Sequence, residues 1–515
     1  MLDCKSNFKV IGAVNLVIFV VVLYLSYFFW KDAMAFSDGM NLYSAYPMTN
    51  AVKNEVTAGF LNYFKGWYVG MNGRFLPNFF GALVHELVVL FNIGPEEFPS
   101  WVLRGGSIFC NLMMPINILF AVLVMWGHEL YLWLFTLMII FLSYFFNAMI
   151  FTHLAFFDVL FFDRSLPMYL CSIFFLLILS DVRTKTVCII GYFILAIFFS
   201  EQFLVSVSFI FIFIFFIRYG FSKMFIIHSI ITFVIGVLNG LYFFLSPGQR
   251  WRQSLLDKTN KDIFSYRDWF VNFKVSNMDA WGNLFPTNLV QSVNYTILLL
   301  LLTTLIICVY CFFKKRRTIL FFSSLSILFL IGFWLSMSSR MIYSYYPKYA
   351  IQYPLSLFTI FISLSVCSVL TLAREFPFLK GKRVRWCLGG LGVLFLSILL
   401  LGRSVVEFKK MRDAVVSVQE TENLRKKIYL MIKKYSDEGN HSKYFVRDIP
   451  KSALDSYFYG TKTIEAPWSI NAYLRWSRRY SPELRIFLDT HKGSDISIYK
   501  DWIQCSALTM KCSLK

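Results

Sequence analysis

The chain has 515 residues, 57% of them hydrophobic and 16% charged, with 58 phenylalanines and a mean hydropathy of +0.59. That composition excludes a water-soluble fold, because a single aqueous core cannot hide so many large apolar side chains. The formal net charge of +20 would suggest nucleic acid in a soluble chain, but here Lys and Arg gather in loops at the ends of apolar runs. Cytoplasmic loops of membrane proteins carry that bias, so membrane lipid replaces nucleic acid as the expected partner.

The first apolar run, Val10 to Trp30, is too long for the core of a signal peptide and lacks a small-residue cleavage site, so it reads as a retained span. Two basic clusters then fix the threading as cytoplasmic loops: Lys314, Lys315, Arg316 and Arg317, and further on Arg374, Lys380, Lys382, Arg383 and Arg385. Counting outwards from them places spans near 104–126, 131–152, 165–180, 186–200, 203–218, 225–246, 294–313, 318–338, 349–372 and 387–405. With the first run this makes an all-α polytopic membrane protein of about eleven transmembrane helices. The N-terminus is cytoplasmic and the C-terminus external.

The stretch from Phe75 to Phe91 resembles a span, yet it is short, carries His85 and Glu86 near its middle and ends in GPEEFP. Parity forbids a single crossing between a first span that ends outside and a span near Arg104 that begins there, so this stretch is expected to lie at the outer interface. The transmembrane domain is thus residues 1–405, with external loops 31–103 and 247–293, the first holding helices near 51–64 and from Phe75 onward. Residues 406–515 form a small external α/β domain, with a helix to about Tyr435 and a strand over Lys443 to Arg447. Seven cysteines in or beside apolar runs read as packing, whereas Cys505 and Cys512 stand in the polar tail and suit a short disulfide loop in an oxidising compartment.

Candidate chemistry collects on the external face. Asp38, in FSDGMNLYSAYP just after the first span, can take a proton from a hydroxyl; the plainer reading is a DG turn. Arg250 and Arg252 in SPGQRWR follow a span directly at phosphate depth, where guanidinium forks suit phosphate esters and also snorkel to ordinary headgroups. Arg340 and Lys348 bracket a Tyr-rich loop with the same two readings. Glu201 caps a helical hairpin, and Asp158, Asp163 and Arg164 occupy the loop before the next span. Neither HEL sequence, at His85 or His128, completes HExxH, and no phosphate loop or GxSxG is present. The residues therefore call for no cofactor and no metal site, and assistance by a divalent cation is left open. No cytoplasmic loop is large enough for a nucleotide-binding domain, which argues against a nucleotide-sugar donor.

The layout resembles membrane glycosyltransferases of GT-C architecture, and more narrowly the phage-encoded and enterobacterial serotype-converting O-antigen glucosyltransferases. The pieces that carry the resemblance are GWYVGMNGRFLPN around Arg74, FFDRSLPMY, SEQ at Glu201, SPGQRWR, and APWSINAYLRWSRRY in the tail. Relatives show two adjacent acids in the first external loop, whereas here Gly39 follows Asp38 and the nearest other acids are Asp32 and Glu55. The resemblance implies a bacterial inner-membrane transferase that moves a hexose, typically glucose, from a polyprenyl-phosphate donor to lipid-linked O-antigen in the periplasm, with inversion. It implies Asp38 as base and Arg250, Arg252 and Arg340 as the phosphate clamp. Trp67 and Tyr68 would stack on sugar or anchor the interface. Two rival readings are an O-antigen polymerase or ligase, against which the long tail and early Asp argue, and a lipid-sugar flippase, which would favour internal repeats.

Overall fold

The computed structural model describes residues 4–31, 60–69, 75–91, 93, 97–126, 161–179, 184–197, 201–248, 250, 290–342, 352–373, most of 423–434, 443–448, 485–488 and 503–514. These residues are mostly helical. Helices α1 (Cys4–Trp30), α4 (Ser100–Trp126), α5 (Leu166–Leu179), α6 (Thr184–Ile197), α7 (Glu201–Tyr219), α8 (Lys223–Leu245), α9 (Val290–Phe313), α10 (Arg317–Ile342) and α11 (Gln352–Ala373) occupy expected span positions. Two short helices, α2 (Phe60–Trp67) and α3 (Phe75–Leu90), lie between α1 and α4. Three stretches, Ile11–Trp30, Ser100–Phe120 and Lys223–Tyr242, are long and apolar enough to cross a membrane. The expected spans near 131–152 and 387–405 lie outside the described residues. Helix is the natural state for such sequences, because in lipid each backbone polar group must find its partner within the segment.

Helix α4 is the axis of the first half. Among the described side chains of α1, from Ile11 on, a stripe is buried, made by Ile11, Asn15, Val22, Ser26 and Trp30, and this stripe lies on α4. The two run antiparallel: Phe19 meets Phe109 edge-on at 5.0 Å, Tyr27 meets Trp101 at 5.3 Å, and Asn15 Nδ2 donates to Asn117 Oδ1 at 3.0 Å. Gly105 permits the approach, since a Cβ there would stand 2.7 Å from Ser26 Oγ. Helix α5 runs parallel to α4, tied by Asn111 Nδ2 donating to Ser165 Oγ at 2.6 Å and Asn117 Nδ2 to Ser172 Oγ at 3.2 Å. Buried amide–hydroxyl pairs of this kind hold membrane helices in register, where apolar contact alone does not distinguish a neighbour from lipid.

Helix α6 packs on α5 and α8, and α7 and α8 form an antiparallel hairpin. Between α7 and α8 the chain turns at Gly220 (φ 58°), a left-handed conformation that glycine adopts without steric cost, and Ser222 Oγ then accepts the Phe225 N–H to start α8. The turn after α9 uses Lys315 (φ 53°), with the Arg316 N–H closing back on the Cys311 carbonyl. Antiparallel packing of α10 on α11 brings Ser326 Oγ to the Phe361 carbonyl at 3.0 Å and Phe333 to Phe358 at 5.1 Å. Phe174, Phe211, Phe215 and Phe322 are fully enclosed between helices.

In the tail, strands β1 (Lys443–Arg447), β2 (Arg485–Leu488), β3 (Ile503–Ser506) and β4 (Lys511–Leu514) form one sheet in the order β2-β1-β3-β4. Strand β1 is parallel to β2 and β3, and β3 and β4 form an antiparallel hairpin. Cys505 and Cys512 are register partners across that hairpin and form a disulfide. Unreduced peptide mapping should recover the cross-linked peptide. Replacing Cys512 with serine should destabilise the hairpin by about 2–3 kcal/mol, since the bridge removes loop entropy from the unfolded tail. Finding both thiols free in the protein extracted unreduced from intact membranes would contradict the pairing.

Candidate functional site at one end of the bundle

Because α1 and α4 are antiparallel, the chain leaves α1 and enters α4 at the same end of the bundle, called here the upper end. Helices α2 and α3 fold back on each other there. Tyr63 stacks on His85 with ring centres 4.9 Å apart, and Gly81 makes room for the Tyr63 ring, which a Cβ would meet at 3.1 Å. Glu86 Oε2 accepts the Phe60 N–H at 2.7 Å, satisfying one of the open donors at the start of α2. His85 and Glu86, which looked like half of a metal motif, thus serve to clamp α2 onto α3.

Aromatic rings fasten this hairpin to its surroundings. On one side Phe80 stacks on Phe162 at 5.6 Å; on the other Tyr68 stacks on Tyr242, near the end of α8, at 6.3 Å. Phe162 belongs to a π-helical turn, Phe161–Ser165, that precedes α5. Within that turn Phe161 abuts Gly106 and Ser165 accepts from Asn111, so the turn, with Asp163 and Arg164 in it, lies against the upper part of α4. The end of α8 is therefore also at the upper end, and so is the start of α7, whose first residue is Glu201. Arg250 stands just beyond α8, exposed, with its N–H on the Ser246 carbonyl at 3.2 Å.

The structure thus places the backbone positions of Asp163, Arg164, Glu201 and Arg250 toward the same end of the bundle as α2 and α3. Arg340 lies near the end of α10, away from the basic turn that starts that helix. Asp38, Glu55, Arg74, Asp158, Arg252 and Lys348 lie outside the described residues. Among the described residues no group of three or more His, Cys, Asp or Glu is placed to hold a metal ion.

No family model matches this chain, and no curated protein or solved structure does either. The chemistry must therefore be read from the residues themselves.

One residue of the upper end escapes sequence reasoning. Arg104 looks like a boundary marker for a span that starts there, but α4 begins a turn earlier, at Ser100, and Arg104 is wholly buried with its Nε–H donating to Ser100 Oγ at 2.8 Å. The signal was present in the Arg-Gly-Gly run. Two glycines beside an arginine inside an apolar helix mark close approach from two sides, here by Ser26 of α1 and by Phe161. A buried guanidinium, the carboxylate-bearing turn at Asp163, the start of α7 at Glu201 and the exposed Arg250 thus lie toward one end of the bundle.

Proposed function

We propose that this protein is a GT-C-type glycosyltransferase of the bacterial inner membrane that transfers a hexose, glucose in the simplest case, from a polyprenyl-phosphate donor to lipid-linked O-antigen on the periplasmic side. What supports this reading is that acid- and arginine-bearing elements lie toward the same end of an apolar helix bundle as the α2–α3 hairpin. A lipid-borne donor presents its phosphate at such a level, and a water-soluble one does not. The disulfide between Cys505 and Cys512 supports a tail in an oxidising compartment. Asp38 serves as base toward the acceptor hydroxyl, while Arg250, Arg252 and Arg340 stabilise the departing lipid phosphate as charge develops on it.

The direct test is to incubate the purified full chain in lipid with radiolabelled polyprenyl-phosphate glucose and lipid-linked O-antigen. Label should appear in the acceptor, whereas a flippase would only move the donor and a polymerase would lengthen the acceptor without using it. In the same assay Arg250→Lys should weaken donor use by about tenfold, because an ammonium cannot reproduce the bidentate guanidinium contact. An unchanged donor dependence would reassign Arg250 to ordinary snorkelling.

A further inference from the structure

Six aromatic rings form a ladder across the upper end of the bundle. Phe60, Phe64 and Tyr68 succeed one another at one-turn spacing along α2 and just past its end, their rings parallel to within 6° with centres 6.3 and 5.5 Å apart. Tyr242 of α8 continues the row, 6.3 Å from Tyr68. Phe75 and Phe79 of α3 flank it edge-on, their centres 5.3 Å from Phe64 and Phe60 respectively. No rung is fully enclosed: Phe75 is 46% and Tyr242 44% exposed, and the other four are partly exposed.

Four of the six are phenylalanines, which lack the polar atom that seats Tyr and Trp among headgroups, so their open edges call for apolar cover rather than water. The ladder opens onto α8, whose long apolar stretch is only 6% buried and whose Leu241 and Leu245, on either side of Tyr242's turn, are more than half exposed. Beyond Leu245 the chain closes one more helical turn, from Ser246 to Arg250, and leaves Arg250 exposed. At helical rise this keeps the Arg250 backbone within about 12 Å of that of Tyr242. An apolar surface with a cation so near its end matches an amphiphile with an anionic head. A rigid ladder also favours a polyprenyl chain over a saturated one. The double bonds leave fewer torsions to freeze on docking, and the regular methyl branches fill the clefts between rings.

We infer that this ladder docks the chain of a polyprenyl phosphate whose phosphate meets Arg250. The inference rests on the proposed function and deepens it by assigning the surface that selects the donor's lipid. The test uses the purified full chain in phospholipid nanodiscs and four probes: farnesyl phosphate, dodecyl phosphate, farnesol and inorganic phosphate. Farnesyl and dodecyl phosphate share a head group and a main-chain length and differ in double bonds and branches. Above the background of empty discs, farnesyl phosphate should bind at least about tenfold more tightly than each of the other three. Tyr242→Ala and Phe75→Ala should each remove most of the preference for farnesyl over dodecyl phosphate. Arg250→Gln should weaken both lipid phosphates by about tenfold and leave farnesol unchanged. Where one ring variant fails to insert, the other decides, and the comparison of probes on the parent protein stands regardless.

Equal binding of farnesyl and dodecyl phosphate would overturn the inference, since the ladder would then be an ordinary lipid-facing surface. So would farnesol or inorganic phosphate binding as tightly as farnesyl phosphate, a farnesyl preference that survives both ring replacements, or lipid phosphate binding indifferent to Arg250→Gln. No probe carries a sugar, which separates this inference from the proposed function. A chain that shows the farnesyl preference but makes no glycosylated product refutes only the function. Hexose transfer that runs equally from polyprenyl and saturated-alkyl phosphate donors, with equal probe binding, refutes only the ladder.

Discussion

Replacing Asp38 with asparagine should lower hexose transfer by about 100-fold or more while the protein still inserts and still binds donor. The substitution keeps the side chain's shape and hydrogen-bonding capacity and removes only its basicity, so a large loss in turnover with little change in donor binding isolates proton abstraction. Position motivates the choice. Helix α1 ends at Trp30, packed beside the start of α4, and Asp38 follows only eight residues later in the chain. Rates should be measured on purified protein and the O-antigen product checked in cells. A wild-type rate in both would move the role to Glu55, Asp158, Asp163 or Glu201. Loss of insertion would make Asp38 a structural turn.

Gly191→Ala should destabilise the bundle although alanine is the better helix former. A Cβ at Gly191 would fall inside the volume of the Phe174 ring. Phe174 is wholly buried, between α6 and Phe211, whose ring centre is 4.4 Å away, so it has no open space to swing into. The gain in helix propensity is at most about 1 kcal/mol, whereas forcing a methyl into a filled core costs about 1–3 kcal/mol and more when a ring must move. The net effect should be a clear fall in melting temperature in detergent. Phe174→Leu should recover part of it in the double variant, because the two positions share one volume and their effects cannot add. A Gly191→Ala protein that melts at or above the parent temperature, with additive double-variant behaviour, would mean that α6 and α5 do not meet there.

The sequence by itself determined where helices form and roughly where they stop. Runs of apolar residues near 20 long need only lipid as solvent to become helical, and charged or Gly-containing turns end them. The helix starting at Phe75, the strand over Lys443 to Arg447 and the pairing of Cys505 with Cys512 were likewise legible, because each depends on local pattern: an interrupted apolar run, alternation, and two isolated thiols.

Which helix lies inside was not legible. The α4 stretch is the least hydrophobic of the three long ones yet is 94% buried, while the more hydrophobic α8 stretch is 6% buried. Lipid-facing and helix-facing positions are equally apolar in a membrane, so hydropathy cannot tell one from the other. The distinction comes from partners remote in sequence, such as Asn15 and Asn117, and from glycines whose value appears only when the facing residue is known. For the same reason Arg104 was misplaced at a boundary. A lone charge in lipid is costly enough to suggest an end of a span, and it is the packing of α1, α4 and the turn at Phe161 against one another that makes a buried place for it.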